Sequence, residues 1–216
     1  MSKIRTPEQL YDILDEQITW RKKELADLKS MVEARSAPER TNCLIRCGIT
    51  LLYAHWEGFV KEAAEAYLIF INTQRLSYKD LAPNFIALGM RKRLNEAFET
   101  NKVSLQKDLV TFFLSGMEER CTFVPEISTQ SNLSSQVLKE IISILGLDFS
   151  IYEENGIFEL DDDLLRTRNS VAHGKYEIMR RDEFIELHRQ IIKLMELFLN
   201  QITNAALTKA YKRTSK

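Results

Sequence analysis

Residues 44–71 read LIRCGITLLYAHWEGFVKEAAEAYLIFI, and this apolar stretch decides the fold class. Its large side chains, such as Leu51, Trp56 and Leu68, lie on most sides of a helix rather than along a single stripe. A helix that is apolar nearly all round is buried in the centre of its domain. We therefore predict that residues 39–74 form a core helix against which the other helices pack.

Two further long helices are predicted, one on each side of this core helix in the chain. On the N-terminal side, Thr6 can cap a helix that begins at Pro7, and Gln9 completes a capping box. Apolar residues at helical spacing then continue to Val32, and the same spacing recurs over residues 182–207.

The remaining segments read as shorter helices joined by irregular chain. The sequence of 216 residues holds only 7 Gly and 4 Pro, too few chain breakers for many short strands. The fold class is therefore all-α, a helical bundle with long first, second and last helices. Shorter helices are predicted over residues 83–100, 104–114, 134–145 and 161–174, irregular chain over 116–130 and 148–159, and at most one short strand at 121–124.

The composition indicates one domain over residues 1–216, because no repeat, low-complexity segment or shift in composition marks a second. The basic tail, residues 209–216, is expected to be frayed. The net charge of −1 excludes a protein that binds polyanions through its overall charge. Any contact with nucleic acid therefore needs a local basic patch or an assembled site.

The chain shows no sign of export, membrane insertion or cofactor binding. Its first residues lack the apolar run of a signal peptide, and no stretch approaches the ~18 apolar residues of a membrane span. We expect a cytoplasmic protein without membrane contact, in which Cys43, Cys47 and Cys121 are buried, reduced thiols. Because there is no Gly-rich phosphate loop and no metal-ligand spacing among the histidines, we expect no cofactor and no metal.

A polar cluster stands out in the predicted helix of residues 161–174. At about 100° per residue, Asn169 and His173 share a stripe roughly 100° and 140° from Arg168, whereas Leu164 and Val171 face the opposite way. We expect the apolar side to pack on the core and the polar side to be accessible. The alternative to a site is a solvated helix face that carries these side chains without a function.

These side chains suit RNA cleavage without a metal. The reaction needs a base for the 2′-OH proton, an acid for the leaving 5′-oxygen and positive charge on the phosphorane oxygens. His173 suits either proton transfer, Arg168 offers a permanent charge on a planar fork, and Asn169 can orient the histidine or the phosphate. One histidine cannot serve both sides of an in-line displacement, but a twofold dimer that faces two copies of this helix supplies two.

The run Arg168-Asn169-Ser170-Val171-Ala172-His173, followed by Gly174, resembles the Arg-x4-His motif of the HEPN superfamily, in which a polar residue often follows the arginine. The core-helix residues 51–60, LLYAHWEGFV, and Ser131-Asn132-Leu133 resemble one bacterial branch of stand-alone HEPN ribonuclease-like proteins. The resemblance spans about residues 40–200 and does not include the first helix or the basic tail.

The resemblance implies a homodimeric helical bundle and a metal-independent endoribonuclease, often a toxin or phage-defence effector. It implies RNA as the substrate and allows a neutralising antitoxin or another regulatory protein as a partner. It assigns Arg168 and His173 as catalytic motif residues and Asn169 as their polar neighbour. A non-catalytic HEPN-like module that binds RNA, a nucleotide or a protein is the alternative, and a helical scaffold without a ligand is a third reading.

Other polar residues are candidates for supporting roles. Lys175 and Tyr176 directly follow the motif and can line the substrate groove, where a tyrosine can stack on a base. Glu57 can hold the motif arginine in place from the core helix. His55 reads as a buried histidine satisfied by a neighbour, and Arg91-Lys92-Arg93 as either a solvated face or a set of phosphate contacts.

Overall fold

The structure, a computed structural model, describes residues 4–34, 37–99 and 102–214, and three long helices form its centre. These are α1 (Pro7–Glu33), α2 (Pro38–Thr73) and the last helix of the chain. The other helices are α3 (Pro83–Phe98), α4 (Val103–Thr111), α5 (Ser135–Leu145), α6 (Ser150–Glu153), α7 (Ile157–Leu160), α8 (Thr167–Ala172) and α9 (Arg181–Leu207). A 3-10 turn (Tyr78–Asp80) and two π-helical segments (Phe112–Gly116 and Asp161–Arg166) complete the described elements.

The core lies where α1, α2 and α9 pack against one another. Trp56 and Phe59 of α2 are completely enclosed, as is Phe198 of α9. Gly48 allows α2 and α9 to approach closely, because a Cβ at this position would lie 2.7 Å from the ring of Phe184. The predicted core helix is therefore the central element of the fold. The helix that bears the polar cluster of Arg168, Asn169 and His173 packs against it.

The predicted all-α class, with long first, second and last helices, is confirmed. The N-terminal cap is also confirmed, since Thr6 Oγ1 accepts a hydrogen bond of 3.3 Å from the Gln9 amide. The short strand predicted at 121–124 is wrong, because the described residues contain only isolated bridges, one of them between Ser77 and Arg120. The loop predicted at 148–159 is also wrong, since it contains α6 and α7.

The basic tail is docked rather than frayed as far as Arg213. The Ala82 amide donates to the Tyr211 carbonyl and the Arg213 amide to the Asp80 carbonyl, each at 2.9 Å. The Tyr211 ring is 3% exposed and packs edge-on against Phe70. The expectation failed because it was based on the basic composition, whereas one buried aromatic ring holds the segment in place. Residues 215 and 216 lie outside the described part.

Two of the three thiols depart from the expectation of burial. Cys43 and Cys47 are exposed, and only Cys121 is buried. Their positions, four residues apart near the start of α2, place them on the one side of the core helix that its neighbours leave open. His55 behaves as predicted: it is buried, its Nε2 lies 2.6 Å from the Glu24 carboxylate, and burial lowers its pKa.

None of the helices in the described ranges is both long and apolar enough to cross a membrane.

The docked tail predicts a stability effect. Tyr211→Ala should lower the free energy of unfolding by about 3 kcal/mol, the usual cost of removing a buried aromatic ring. Lys212→Ala, which removes an exposed neighbour, should change it by no more than about 0.5 kcal/mol. Urea denaturation of both variants measures the difference. Equal, small effects would mean that the tail is frayed after all.

Candidate functional site

The helix that carries Arg168, Asn169 and His173, here called the motif helix, is not the regular helix predicted for residues 161–174. It begins at Ile157, after Gly156 in the left-handed conformation, and passes through the π-helical segment before α8. A π turn accommodates more residues than an α turn, so the 100° spacing used to assign faces does not hold across it. As a result Leu164 and Thr167 are buried, whereas Val171, expected on the packed side, is only partly buried.

Asp161 joins the motif helix to a second helix, although an acidic residue at the start of the predicted helix of residues 161–174 would favour its positive end. Asp161 lies inside the helix rather than at its positive end, and it caps another helix, α5. Its carboxylate accepts hydrogen bonds from the Ser135 amide at 2.8 Å and from the Ser135 hydroxyl at 2.5 Å. A carboxylate at a helix N-terminus is electrostatically favourable. This contact joins the motif helix to α5.

His173 lies at the exposed C-terminal end of α8. Gly174 adopts a φ of 74°, and the Lys175 amide donates to the Ser170 carbonyl at 3.0 Å, which ends the helix in a Schellman-type turn. The imidazole forms no hydrogen bond with any residue in the described ranges. It is therefore available to a ligand, as the sequence predicts.

Arg168, in contrast, turns inward and is partly buried. Its guanidinium carbon lies 4.1 Å from the centroid of the Tyr53 ring, a close cation–π contact with α2. Its Nη1 donates to Asn132 Oδ1 at 3.0 Å and to Asn169 Oδ1 at 2.7 Å. All of its hydrogen bonds within the described structure come from Nη1, so Nε and Nη2 remain as donors for a ligand.

The loop before α5 shapes the other side of this contact. Gln130 and Ser131 both have positive φ, 52° and 67°, which is unusual for residues with side chains. The loop then brings the Leu133 amide to the Tyr53 hydroxyl, to which it donates at 2.6 Å, and Asn132 to Arg168. Backbone in sparsely populated conformations often occurs at functional sites. The loop thus holds both partners of the cation–π contact.

Glu57 makes no direct contact with Arg168 in the described structure, and support for Arg168 through Tyr53 stays a prediction. No ion pair joins them in the described structure; Glu57 lies one turn further along α2, beside the Tyr53 hydroxyl. Burial raises the pKa of Tyr53 to about 12, and the Glu57 carboxylate contributes to the increase. The direct contacts that hold Arg168 come from Tyr53 and Asn132, which lie level with the guanidinium.

Asn169 connects the anchored arginine to the exposed histidine. Its Oδ1 accepts from Arg168, and its side chain lines a shallow, open groove together with Arg166, His173 and Lys175. Its Nδ2 has no acceptor in the described structure and remains a donor. The three motif residues are therefore arranged in sequence along the helix surface, with Arg168 on the inner side and His173 on the outer side.

The segment after the motif is attached to α2 by Arg46. Arg46 Nη2 donates to the Lys175 carbonyl at 2.9 Å, and its guanidinium carbon lies 5.5 Å from the centroid of the Tyr176 ring. Both Lys175 and Tyr176 are exposed, as expected for residues that line a binding groove. Arg91-Lys92-Arg93 is an exposed part of α3, which packs on α4 and α5.

Four cationic side chains thus surround the end of the motif helix: Arg46, Arg166, Arg168 and Lys175. None of them has a carboxylate partner within 4.0 Å in the described ranges. These four cations outnumber Asp161, the carboxylate that lines the same groove and accepts hydrogen bonds from Ser135, so the local charge is positive although the chain has a net charge of −1. Such an unneutralised patch attracts anions.

Sequence reasoning missed Tyr53, Asn132 and Arg46 as site residues. A usable signal exists for two of them, because Arg46 and Tyr53 are seven residues apart and must share a face of α2. No periodicity marks Asn132, since it reaches the site through an irregular loop, and its one signal is the family resemblance of Ser131-Asn132-Leu133. Within the described residues, no three His, Cys, Asp or Glu side chains are grouped as metal ligands would be.

Comparison with known proteins gives a family and nothing finer. No curated protein and no solved structure matches this sequence. The family model described as MAE_28990-like HEPN matches residues 10–211, nearly the whole sequence, and HEPN domains are helical modules that are frequently ribonucleases. The chain therefore belongs to the MAE_28990-like HEPN family.

Proposed function

We propose that this protein is a metal-independent endoribonuclease of HEPN type, in which Arg168, Asn169 and His173 act at a composite site formed by two copies of the chain. The observation that carries the proposal is the patch of four unpaired cations around an exposed histidine. Phosphate contacts supply most of the affinity of proteins for nucleic acids. RNA is an anion that brings its own nucleophile, the 2′-OH, to such a patch.

Arg168 stabilises the negative charge that develops on the scissile phosphate. Its cation–π contact and the Nη1 hydrogen bonds orient the guanidinium before substrate binds. A donor that is already oriented pays little reorganisation cost when the transition state forms. Nε and Nη2 then present two donors to the phosphorane oxygens, and the free Nδ2 of Asn169 adds a third.

His173 performs proton transfer, and this role requires a second copy of the chain. In-line attack places the 2′-OH and the leaving 5′-oxygen on opposite sides of the phosphorus. One imidazole serves as the base on one side, and the imidazole of the second copy serves as the acid on the other. The exposed position of His173 at a helix end allows it to face its symmetry mate.

The biological role proposed is that of a toxin or phage-defence effector in the cytoplasm. A homodimer that cuts RNA without a cofactor needs control by a neutralising antitoxin or another regulatory protein. This role rests on the resemblance of the motif and on family membership, not on a contact in the fold.

A non-catalytic module that binds RNA, a nucleotide or a protein is the second candidate. The observation that favours it is the inward position of Arg168, whose contacts with Tyr53 and Asn132 also stabilise the fold. The two candidates differ in whether the chain cleaves the RNA that it binds.

The role of His173 in chemistry is tested by substitution. His173→Ala should reduce cleavage of total RNA by about 10²- to 10⁴-fold, the usual effect of losing a general acid or base. Its free energy of unfolding should change by no more than about 0.5 kcal/mol, because the side chain is exposed. Arg168→Lys should also cleave poorly, since an ammonium lacks the planar fork.

Lys107→Ala is the matched control, because Lys107 is an exposed cation on α4 without an ion pair in the described structure. It should cleave at the wild-type rate. If folded His173→Ala protein also cleaves at that rate, the catalytic assignment is wrong and the binding module replaces it.

The composite site predicts how RNA cleavage changes when wild-type and His173→Ala chains form mixed dimers. Wild-type and His173→Ala chains are co-expressed in equal amounts, and cleavage is measured per total protein. If each site needs both histidines, only wild-type homodimers are active and activity falls to about a quarter. Independent sites would retain about half, and that outcome rules out the shared mechanism.

Cleavage should persist in EDTA, because the proposed mechanism takes its positive charge from arginine and its proton transfer from histidine. The measurement is the rate of RNA cleavage with excess EDTA, and with Mg²⁺ or Mn²⁺ added back. A rate that disappears in EDTA and returns with either ion contradicts the mechanism.

A further inference from the structure

Arg46 occupies a position that its contribution to the fold does not explain. It lies on the same face of α2 as Tyr53, and its guanidinium spans the gap to the segment after the motif. Its Nε is buried without a hydrogen-bond partner in the described structure. An unpaired buried donor is unfavourable, so this position is not optimised for the stability of the free chain alone.

Tyr176 is the group that Arg46 supports. The ring is 71% exposed, although it directly follows the motif turn and its own backbone is attached to α2 through Lys175. The guanidinium lies within cation–π distance of the ring. The large exposed fraction of the ring leaves room for a further planar group to stack on it.

The position of this pair relative to His173 is set by the chain. Tyr176 follows His173 by three residues, so their Cα atoms lie no more than about 11 Å apart. The patch of four cations surrounds the same turn. This distance is short enough for a strand whose phosphate lies at Arg168 and His173 to place a neighbouring base on Tyr176.

We propose that Arg46 and Tyr176 form a stacking platform for one base of single-stranded RNA, next to the phosphate that the motif residues bind. This inference rests on the proposed function, because it assumes that RNA is the ligand of the groove. Tyrosine rings stack on bases of any sequence, and arginine adds a cation–π contribution. Tyr176 is the binding residue, and Arg46 is the positioning residue that holds the ring and the Lys175 backbone.

The platform is tested by binding rather than cleavage. Fluorescence anisotropy measures the affinity of a short, unstructured, fluorescein-labelled RNA for protein that carries His173→Ala in every arm, so that the probe stays intact. Tyr176→Ala should weaken binding by roughly 5- to 150-fold, the range for one lost base stack. Tyr176→Phe retains the ring and should bind within about twofold of its parent. Tyr11→Ala, at another exposed tyrosine, on α1, is the matched control and should have no effect.

A set of RNAs with one abasic nucleotide at successive positions separates stacking from a general loss of charge or structure. In the parent protein, one position should weaken binding by a factor similar to that of Tyr176→Ala. In the Tyr176→Ala and Arg46→Met variants, removing that base should not weaken RNA binding any further. Thermal melts of all variants verify that they are folded.

The outcomes separate this inference from the proposed function. RNA that is cut by wild-type protein, with an abasic profile unchanged by Tyr176→Ala, overturns the platform and leaves the ribonuclease standing. If one abasic position weakens binding as expected but the wild-type protein never cleaves RNA, the platform is supported and the ribonuclease is rejected. No RNA binding at all overturns both. A Tyr176→Ala variant that loses affinity only because it no longer dimerises overturns the platform and leaves the ribonuclease standing.

Discussion

Burial of α2 on nearly every side is the constraint on which the rest of the structure depends. A helix with Leu51, Trp56 and Leu68 on different faces is stable in water only if several neighbours cover it. α1 and α9 cover most of its length, α5 covers a further part, and α8 packs on the same helix. The motif helix is therefore held against the helix that supplies much of the buried core.

The contact between α8 and α2 includes a cation that lies over an aromatic ring. Arg168 contacts Tyr53, and the loop before α5 supplies an acceptor for the guanidinium and a donor for the hydroxyl. A charge that is withdrawn from water needs such partners. The same arrangement leaves two guanidinium nitrogens free, so that stabilising the fold and orienting a ligand-binding group are not in conflict.

The site combines anchored and exposed groups. Arg168 and the Lys175 backbone are both tied to α2, whereas His173 and Tyr176 extend from these fixed points into solvent. Rigid elements position groups more accurately than loops do. Exposed groups beside them can still contact RNA or a second copy of the chain, which buried groups cannot.

The sequence by itself determined the fold class, the core helix and the motif. These follow from local patterns: apolar residues around residues 44–71, the cap at Thr6, and the spacing from Arg168 to His173. Helix formation and amphipathicity depend on neighbours in the chain, so they can be read without a structure. The position of His173 at the C-terminal end of its helix can also be read from the sequence without a structure.

Only the tertiary structure decided which groups surround the motif. The π turn shifted the faces of the motif helix, so that Arg168 turned inward and Thr167 was buried. Asn132 and Arg46 lie far from the motif in sequence and reach it only through the fold, and Glu57 lies beside Tyr53 rather than beside Arg168. Contacts of this kind depend on how loops close and how helices rotate against each other, and no periodicity along the chain encodes these quantities.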